Sequence, residues 1–154
     1  MRSAELLDCP TCKRQILGRL RAVRPETPRR WGKMTAPEMI CHLNDCFLSV
    51  MGERPLEIPK PQFGHRLLKR IALYAPIKWP PGVKTRPELD QQTHGTRPAS
   101  FDSDMERLFV LIERFTSQPR TLLDRHPIFH EMTDRDWMRW GYRHTDHHLR
   151  QFGK

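Results

Sequence analysis

The chain has 154 residues and a formal net charge of +9 at pH 7, from 27 Lys and Arg against 18 Asp and Glu. This length favours one domain with a real core, and the charge favours nucleic acid, an anionic membrane or an anionic small molecule as partner. The sequence has no apolar run near the roughly 20 residues of a membrane-spanning helix, and no signal-peptide core. We therefore expect a single domain over residues 1–154, no membrane span, a cytoplasmic location and cysteines kept as thiols.

Two helices are expected in the first third of the chain. The first begins after Asp8, whose carboxylate suits an N-cap, and ends before Pro25. The second begins at Thr35, and Glu38 follows three residues later, which is the spacing of a capping box. The apolar stripe of this second helix includes His42.

Residues 53–99 contain eight of the fourteen prolines, a density that helices and central strands do not tolerate. We expect a long, mostly irregular excursion here, with a short helix from Arg66 to about Tyr74. The stretch from Lys60 to Arg86 holds seven basic residues and no acidic one. Three interpretations are open: a solvated loop rim, a patch for nucleic acid or a membrane surface, or a basic lid that attracts an acidic cosubstrate.

Two more helices are expected after the excursion. The third opens at Ser103 with Glu106 three residues later, and the fourth opens at Thr133 with Asp136 three residues later. No segment alternates with period two for long enough to predict a sheet. Four amphipathic helices predict an all-α four-helix bundle with a long Pro-rich excursion between helices 2 and 3.

Three histidines lie on stripes that we assign to the bundle interior. His144 and His148 are four residues apart on one helix face, with Cβ atoms about 5–6 Å apart, and His42 lies on the second helix. Three neutral imidazoles can bind one divalent metal and leave a coordination position open, as in catalytic sites. His147 flanks the same face, so spacing alone leaves His147 or His148 as the third ligand. The plainer alternative is a set of inert, hydrogen-bonded core histidines.

The cysteines give a weaker signal. Cys9 and Cys12 form a single CxxC, which suits a redox pair or, with Cys41 and Cys46, a zinc site. The redox interpretation lacks a preceding strand, and the zinc interpretation lacks a second CxxC. We expect partly buried thiols, with Cys46 of interest because it follows His42 by four residues on the same face.

Several segments resemble the DinB-like superfamily of bacterial metal-binding bundles. Residues 31–43 (WGKMTAPEMICHL) resemble the entry to its second helix, and residues 126–152, with HPIF and YRHTDHHLRQF, resemble its closing motif. The resemblance is closest to a functionally uncharacterised branch, which residues 59–61, 67–70 and 85–89 also match. It implies an up-down-down-up four-helix bundle.

The resemblance also implies a divalent metal, zinc or nickel, on His42, His144 and His148. Relatives include thiol-dependent transferases and isomerases that use low-molecular-weight thiols such as mycothiol, bacillithiol or glutathione, and many are homodimers. The implied function is thus a metal-dependent thiol transferase that joins a small-molecule thiol to an electrophilic substrate, although the sequence leaves open whether the chain is an enzyme.

In that hypothesis Arg66, Lys69 and Arg143 bind the carboxylates of the thiol cofactor. The alternative is a non-enzymatic, stress-related binding module whose basic 60–86 segment binds nucleic acid or another anionic partner.

Overall fold

The computed structural model describes residues 5–154, which are mostly helical, with five α-helices and one two-stranded sheet. The helices are α1 (Pro10–Arg21), α2 (Ala36–Val50), α3 (His65–Tyr74), α4 (Phe101–Thr116) and α5 (Asp134–Gln151). Strands β1 (Arg125–His126) and β2 (His130–Glu131) form an antiparallel hairpin just before α5. Over residues 5–154, no helix combines the length and apolar character needed to cross a bilayer.

The helices α2 and α5 begin where the sequence predicts, and each begins with a capping box. The Thr35 hydroxyl accepts the Glu38 backbone N–H, and the Glu38 carboxylate accepts the Thr35 N–H. Thr133 and Asp136 make the same reciprocal pair at the start of α5. Each box satisfies two backbone donors that the first helical turn otherwise leaves unpaired.

The expected N-cap of the first helix is wrong. α1 begins at Pro10 behind Cys9, whose side chain makes no capping hydrogen bond. Asp8 instead accepts a hydrogen bond from the Arg120 guanidinium at 3.0 Å. The Asp8 carboxylate, which the sequence predicts to cap the backbone of α1, thus binds the side chain of Arg120, 112 residues away.

The expected start of the third helix is also wrong, because α4 begins at Phe101 and Ser103 is already its third residue. Ser100 occupies the N-cap position without a side-chain hydrogen bond. The Asp104 carboxylate accepts the Ala99 N–H at 3.2 Å, so an acidic side chain in the first turn takes part of the capping role.

The short helix expected inside the excursion is present, since α3 spans His65–Tyr74, and it packs against α5. Leu73 is fully buried at that contact. The Arg143 guanidinium donates to the carbonyls of Ala72 and Ala75, both at 2.9 Å, and to that of Ile77. These bonds satisfy carbonyls at the C-terminal end of α3 and fix that end on α5.

The last part of the excursion is fastened to α2 by a buried carboxylate. Asp45 accepts hydrogen bonds from the Gln91 amide at 2.9 Å, the Thr96 N–H at 2.8 Å and the Thr96 hydroxyl at 2.7 Å. Arg54 lies 3.6 Å from the same carboxylate. A buried carboxylate is stable only with such partners, so this cluster holds residues 91–96 against the helix.

The core lies where α2 packs along α4 and α5 packs on α1. The Phe47 ring lies 5.0 Å from that of Phe115 and 6.0 Å from that of Trp140, centroid to centroid. Gly141 allows α5 to approach closely, because a Cβ there would lie 2.8 Å from Phe115 Cε1. This packing brings the inner faces of α2 and α5 together.

Candidate metal centre

The inner faces of α2 and α5 bring three imidazoles to one point. His144 Nε2 lies 3.4 Å from His42 Nε2 and 3.2 Å from His148 Nε2. The three side chains each offer one ligand atom within 4.8 Å of the others. The i, i+4 pair on α5 and the single histidine on α2 therefore form a cluster that can hold a metal ion.

The outer nitrogens of two of these rings are already committed. His42 Nδ1 donates to the Leu89 carbonyl at 2.8 Å, and His148 Nδ1 donates to Gln151 Oε1 at 2.9 Å. The Gln151 amide is oriented in turn, because its Nε2 donates to the Trp31 carbonyl at 3.1 Å. With the proton on Nδ1, both rings present the Nε2 lone pair to the cluster, as metal-binding histidines do.

The arrangement fits a cation better than it fits a set of inert core histidines. Two nitrogen lone pairs face His144 Nε2, and a single N–H there can satisfy only one of them, which leaves for the other at best the weak thiol donor of Cys46, 3.5 Å from His42 Nε2. The Nδ1 atom of His144 is buried and has no hydrogen-bond partner among the described residues. Nitrogens bound about 2.1 Å from one tetrahedral ion are separated by about 3.4 Å, close to the observed spacings.

The electrostatic environment keeps these rings neutral. Burial lowers the pKa of His42 below its ordinary value of 6.5. Burial first, and the neighbouring imidazoles second, lower the pKa values of His144 and His148 well below that value. Because a protonated imidazole has no lone pair for a metal, these shifts favour the ligand form at neutral pH.

One of the three candidate ligands keeps part of its surface in solvent. His42 and His148 are buried, whereas His144 is half-buried. The Trp140 ring lies tilted at 4.8 Å from His144, and the Trp79 ring lies 6.1 Å from it. The site thus has aromatic walls, and His144 is the most exposed of its three candidate ligands.

The structure distinguishes His147 from His148, the two residues of α5 that the spacing left as candidates for the third ligand. His148 joins the cluster, whereas the His147 ring lies between Trp31 and Trp79, at centroid distances of 5.9 and 6.1 Å. A residue three positions from His144 lies to one side of the helix face that meets α2. Cys46 Sγ, at 3.5 Å from His42 Nε2, touches the cluster without belonging to it.

The residues expected to bind a cofactor do not touch the cluster in the described structure. Lys69 donates to the Asp136 carboxylate at 3.0 Å and to the Glu131 carbonyl at 2.6 Å. Arg143 is buried and holds the end of α3. Arg66 is exposed and forms no ion pair or hydrogen bond among residues 5–154.

Two parts of the site were missed by reasoning from sequence. Gln151 follows His148 by three residues, so its helical spacing was a usable signal. The Leu89 carbonyl had no such signal, since it is a backbone atom 47 residues from His42. It is brought there by the Asp45 cluster that fastens the end of the excursion to α2.

Residues 60–154 match the family described as protein of unknown function (DUF1569). The chain belongs to this family. The DUF1569 match includes α3, α4 and α5, and so His144 and His148, whereas His42 lies before it on α2. No curated protein and no solved structure matches the chain. The function of this DUF1569 protein must therefore be argued from its site.

Proposed function

We propose that this DUF1569 protein is a DinB-like metal-binding protein that activates a low-molecular-weight thiol for transfer to an electrophilic substrate. The observation that carries the proposal is that His144 Nε2 lies 3.4 Å from His42 Nε2 and 3.2 Å from His148 Nε2, while the Nδ1 protons of His42 and His148 are already donated elsewhere. His42, His144 and His148 are the proposed ligands. Three imidazoles suit zinc, nickel and other first-row divalent ions.

His42, His144 and His148 would hold a divalent ion with room for one further ligand, and such an ion would supply the acidity that activates a thiol near neutral pH. The protein's own residues prepare that position. The Leu89 carbonyl and Gln151 orient two ligands, and the rings of Trp79 and Trp140 limit the water around them. Partial exposure of His144 supports entry of the thiol from that side.

Cys46 does not compete as the reacting thiol in this proposal. Burial raises the pKa of Cys46 far above its ordinary value, with the nearby Asp45 carboxylate adding to the effect. Without a cation beside it, a thiol in that environment stays protonated and is a poor nucleophile. Cys46 is also buried, so an electrophilic substrate does not reach it from solvent. The proposal therefore assigns the reacting thiol to a diffusible molecule.

Binding of the thiol's carboxylates by Arg66, Lys69 and Arg143 stays a prediction. Of the three, Arg66 is the one whose guanidinium has no other partner among the described residues. The other two would have to exchange their present acceptors for the cofactor. Arg66 is thus the first of the three to test.

The same proposal assigns α1, α2, α4 and α5 to the four helices of a DinB-like bundle, and α3 to an addition between the second and third. It includes a single domain over residues 1–154, a cytoplasmic location and a homodimer. The two-stranded hairpin before α5 would then be a second addition to that bundle.

Metal analysis tests the ligand set directly. We expect about one zinc or nickel ion per chain in the untagged protein by mass spectrometry, and its loss from the His148→Ala variant, because three imidazoles form the site. The matched control is His94→Ala, which removes an exposed histidine outside the cluster. No bound metal, even after zinc or nickel is added, would refute the site and favour the non-enzymatic alternative.

A thiol-transfer assay tests the activity. Metal-loaded wild type is incubated with glutathione, bacillithiol or mycothiol and an electrophile such as a chloronitroarene, and thioether formation is followed. We expect turnover in wild type and His94→Ala, and none in His148→Ala. Full activity in His148→Ala would contradict the proposed role of the ion.

A further inference from the structure

The exposed apolar side chains of this protein are concentrated in one segment. Nine large hydrophobic residues are exposed in the described structure, and seven of them fall between residues 63 and 83. These seven are Phe63, Leu67, Leu68, Ile71, Tyr74, Ile77 and Val83. Phe63 is fully exposed and Leu67 is 64% exposed. Contiguous apolar surface of this kind marks an interaction site more often than isolated exposed residues do.

The helix α3 has apolar residues on two opposite faces. Leu73 is buried on the face that packs against α5. Leu67 and Ile71 follow one another at i and i+4, so they lie together on the other face, whereas the Tyr74 hydroxyl donates to the Asp136 carboxylate of α5. The face with Leu73 is packed against α5, and the face with Leu67 and Ile71 is exposed to water.

The same segment carries unneutralised positive charge. Residues 60–86 include seven basic and no acidic residues. Five of the basic residues are exposed and form no ion pair within residues 5–154: Lys60, Arg66, Arg70, Lys78 and Lys84. The other two, Lys69 and Arg86, pair with Asp136 and Glu88. The surface formed by residues 60–84, which we call the α3 face, is therefore apolar and cationic.

A cavity of about 240 Å³ opens within the α3 face. Its apolar walls include Phe63, Leu68 and Ile128, and its basic lining residues are Lys60, His65, Arg86 and His130. His65 Nδ1 donates to the Gln62 carbonyl, and its buried Nε2 has no hydrogen-bond partner, although the Glu131 carboxylate lies 3.8 Å away. A phosphate or carboxylate entering this cavity would meet several cationic or hydrogen-bonding groups.

We propose that the α3 face docks on an anionic lipid bilayer, with Leu67, Ile71 and Phe63 entering the headgroup boundary. The basic residues contact acidic headgroups, and the cavity receives one of their phosphates. An apolar stripe flanked by Lys and Arg on a helix that lies along the surface is the arrangement expected of interfacial binding. This inference does not depend on the metal site.

Charge and exposed apolar area favour a lipid surface over the other occupants. A second copy docked through the same face would bring two acid-free segments together, and like charges across an interface are unfavourable. Duplex DNA would satisfy the charges, but it offers little to the exposed chains of Leu67, Ile71 and Ile77. A bilayer with anionic headgroups satisfies both features.

Vesicle co-sedimentation tests the proposal with the full chain. We expect binding to vesicles of phosphatidylcholine with a quarter phosphatidylserine, and little binding to phosphatidylcholine alone. Replacing Leu67→Ser and Ile71→Ser together should weaken binding at least about tenfold, since two apolar chains no longer leave water. Val110→Ser is the matched control, because Val110 is 54% exposed on α4, outside the α3 face.

A charge series tests the electrostatic part separately. Lys60→Gln, Arg66→Gln and Arg70→Gln together should weaken binding about 100-fold, because each basic residue near an anionic surface contributes about fivefold. The control removes the same charge elsewhere, with Arg14→Gln, Arg97→Gln and Arg107→Gln, which are all exposed. If the two triple variants lose vesicle binding to the same extent, the interaction depends only on net charge, and the proposal is overturned.

Two further outcomes would overturn it. The first is failure of wild type to bind acidic vesicles at low salt, and the second is wild-type affinity in the Leu67→Ser, Ile71→Ser variant. A wild-type dimer that the same double substitution dissociates would assign the face to a second copy. Salt-sensitive binding of duplex DNA without vesicle binding would assign it to nucleic acid. Metal content should be unchanged in these variants, so a failure here leaves the metal proposal intact.

Discussion

The hydrogen bond between His148 and Gln151 makes the most direct prediction about the metal centre. Gln151 Oε1 accepts the His148 Nδ1 proton at 2.9 Å, and both side chains are buried. Replacing Gln151→Leu keeps a side chain of similar size but removes the acceptor. The His148 ring then loses the group that fixes its tautomer and orients its Nε2 toward the cluster.

The loss of metal affinity expected for Gln151→Leu has two causes, the loss of ring orientation and the unpaired Nδ1 proton. Removing an outer hydrogen-bond partner of a metal-binding histidine weakens metal affinity about 10–100-fold, or about 1.4–2.7 kcal/mol. An unsatisfied buried Nδ1 proton costs about 1–3 kcal/mol, which is the same range. Gln151→Glu keeps an acceptor for His148 and loses the amide donor to Trp31, so its affinity should remain near that of wild type.

A competition titration with a chromophoric zinc chelator measures these affinities. Gln15→Leu is the matched control, since Gln15 is exposed on α1 and lies outside the cluster. Circular dichroism of the metal-free variants shows whether each remains folded. Wild-type affinity in a folded Gln151→Leu protein would refute the argument that this hydrogen bond orients His148.

Two predictions concern the stability of the fold. Gly141→Ala places a Cβ 2.8 Å from Phe115 Cε1 and 3.0 Å from Leu7 Cδ2. We expect the free energy of unfolding in urea to fall by about 1–2 kcal/mol, because overpacking outweighs the gain in helix propensity. A variant more stable than wild type would contradict this expectation. Arg120→Met removes a buried guanidinium that bonds Asp8 and Asp134, and should lower the unfolding free energy by about 2–4 kcal/mol at neutral pH. The Arg120 hydrogen bond holds the pKa of Asp134 below its ordinary value, so this stabilisation is present above the unfolded pKa and is lost as pH falls through the folded one. The difference between variant and wild type should therefore shrink as the pH falls below the ordinary aspartate pKa of 3.8, and a constant difference would contradict the assignment.

Local chemistry explains which parts of the fold the sequence could predict. Thr35 with Glu38, and Thr133 with Asp136, cap helices through contacts three residues apart, so their pattern was sufficient. Asp8 failed as a cap because Arg120, 112 residues away, takes its carboxylate. Competition between a local and a distant partner is decided by tertiary structure, which a linear pattern does not contain.

The same distinction holds for the candidate site. The spacing of His144 and His148 and the position of His42 on an apolar stripe predicted three rings that the structure brings together. The sequence could not decide between His148 and His147, because that choice depends on how α5 is rotated about its axis relative to α2. The hydrogen bond from His42 to the Leu89 carbonyl could not be predicted from the sequence. It depends on the path of the whole excursion, which the cluster around Asp45 holds against α2.

The cluster also joins two distant parts of the chain, since His42 and His144 are 102 residues apart. An ion that links them restricts the unfolded chain as a crosslink across a loop of that length would, an effect worth about 5 kcal/mol in chain-entropy terms. Loss of the ion would then loosen the packing of α2 on α5 as a whole rather than one helix end. Under the proposed function, the thermal stability of this protein should for that reason rise when zinc or nickel is supplied.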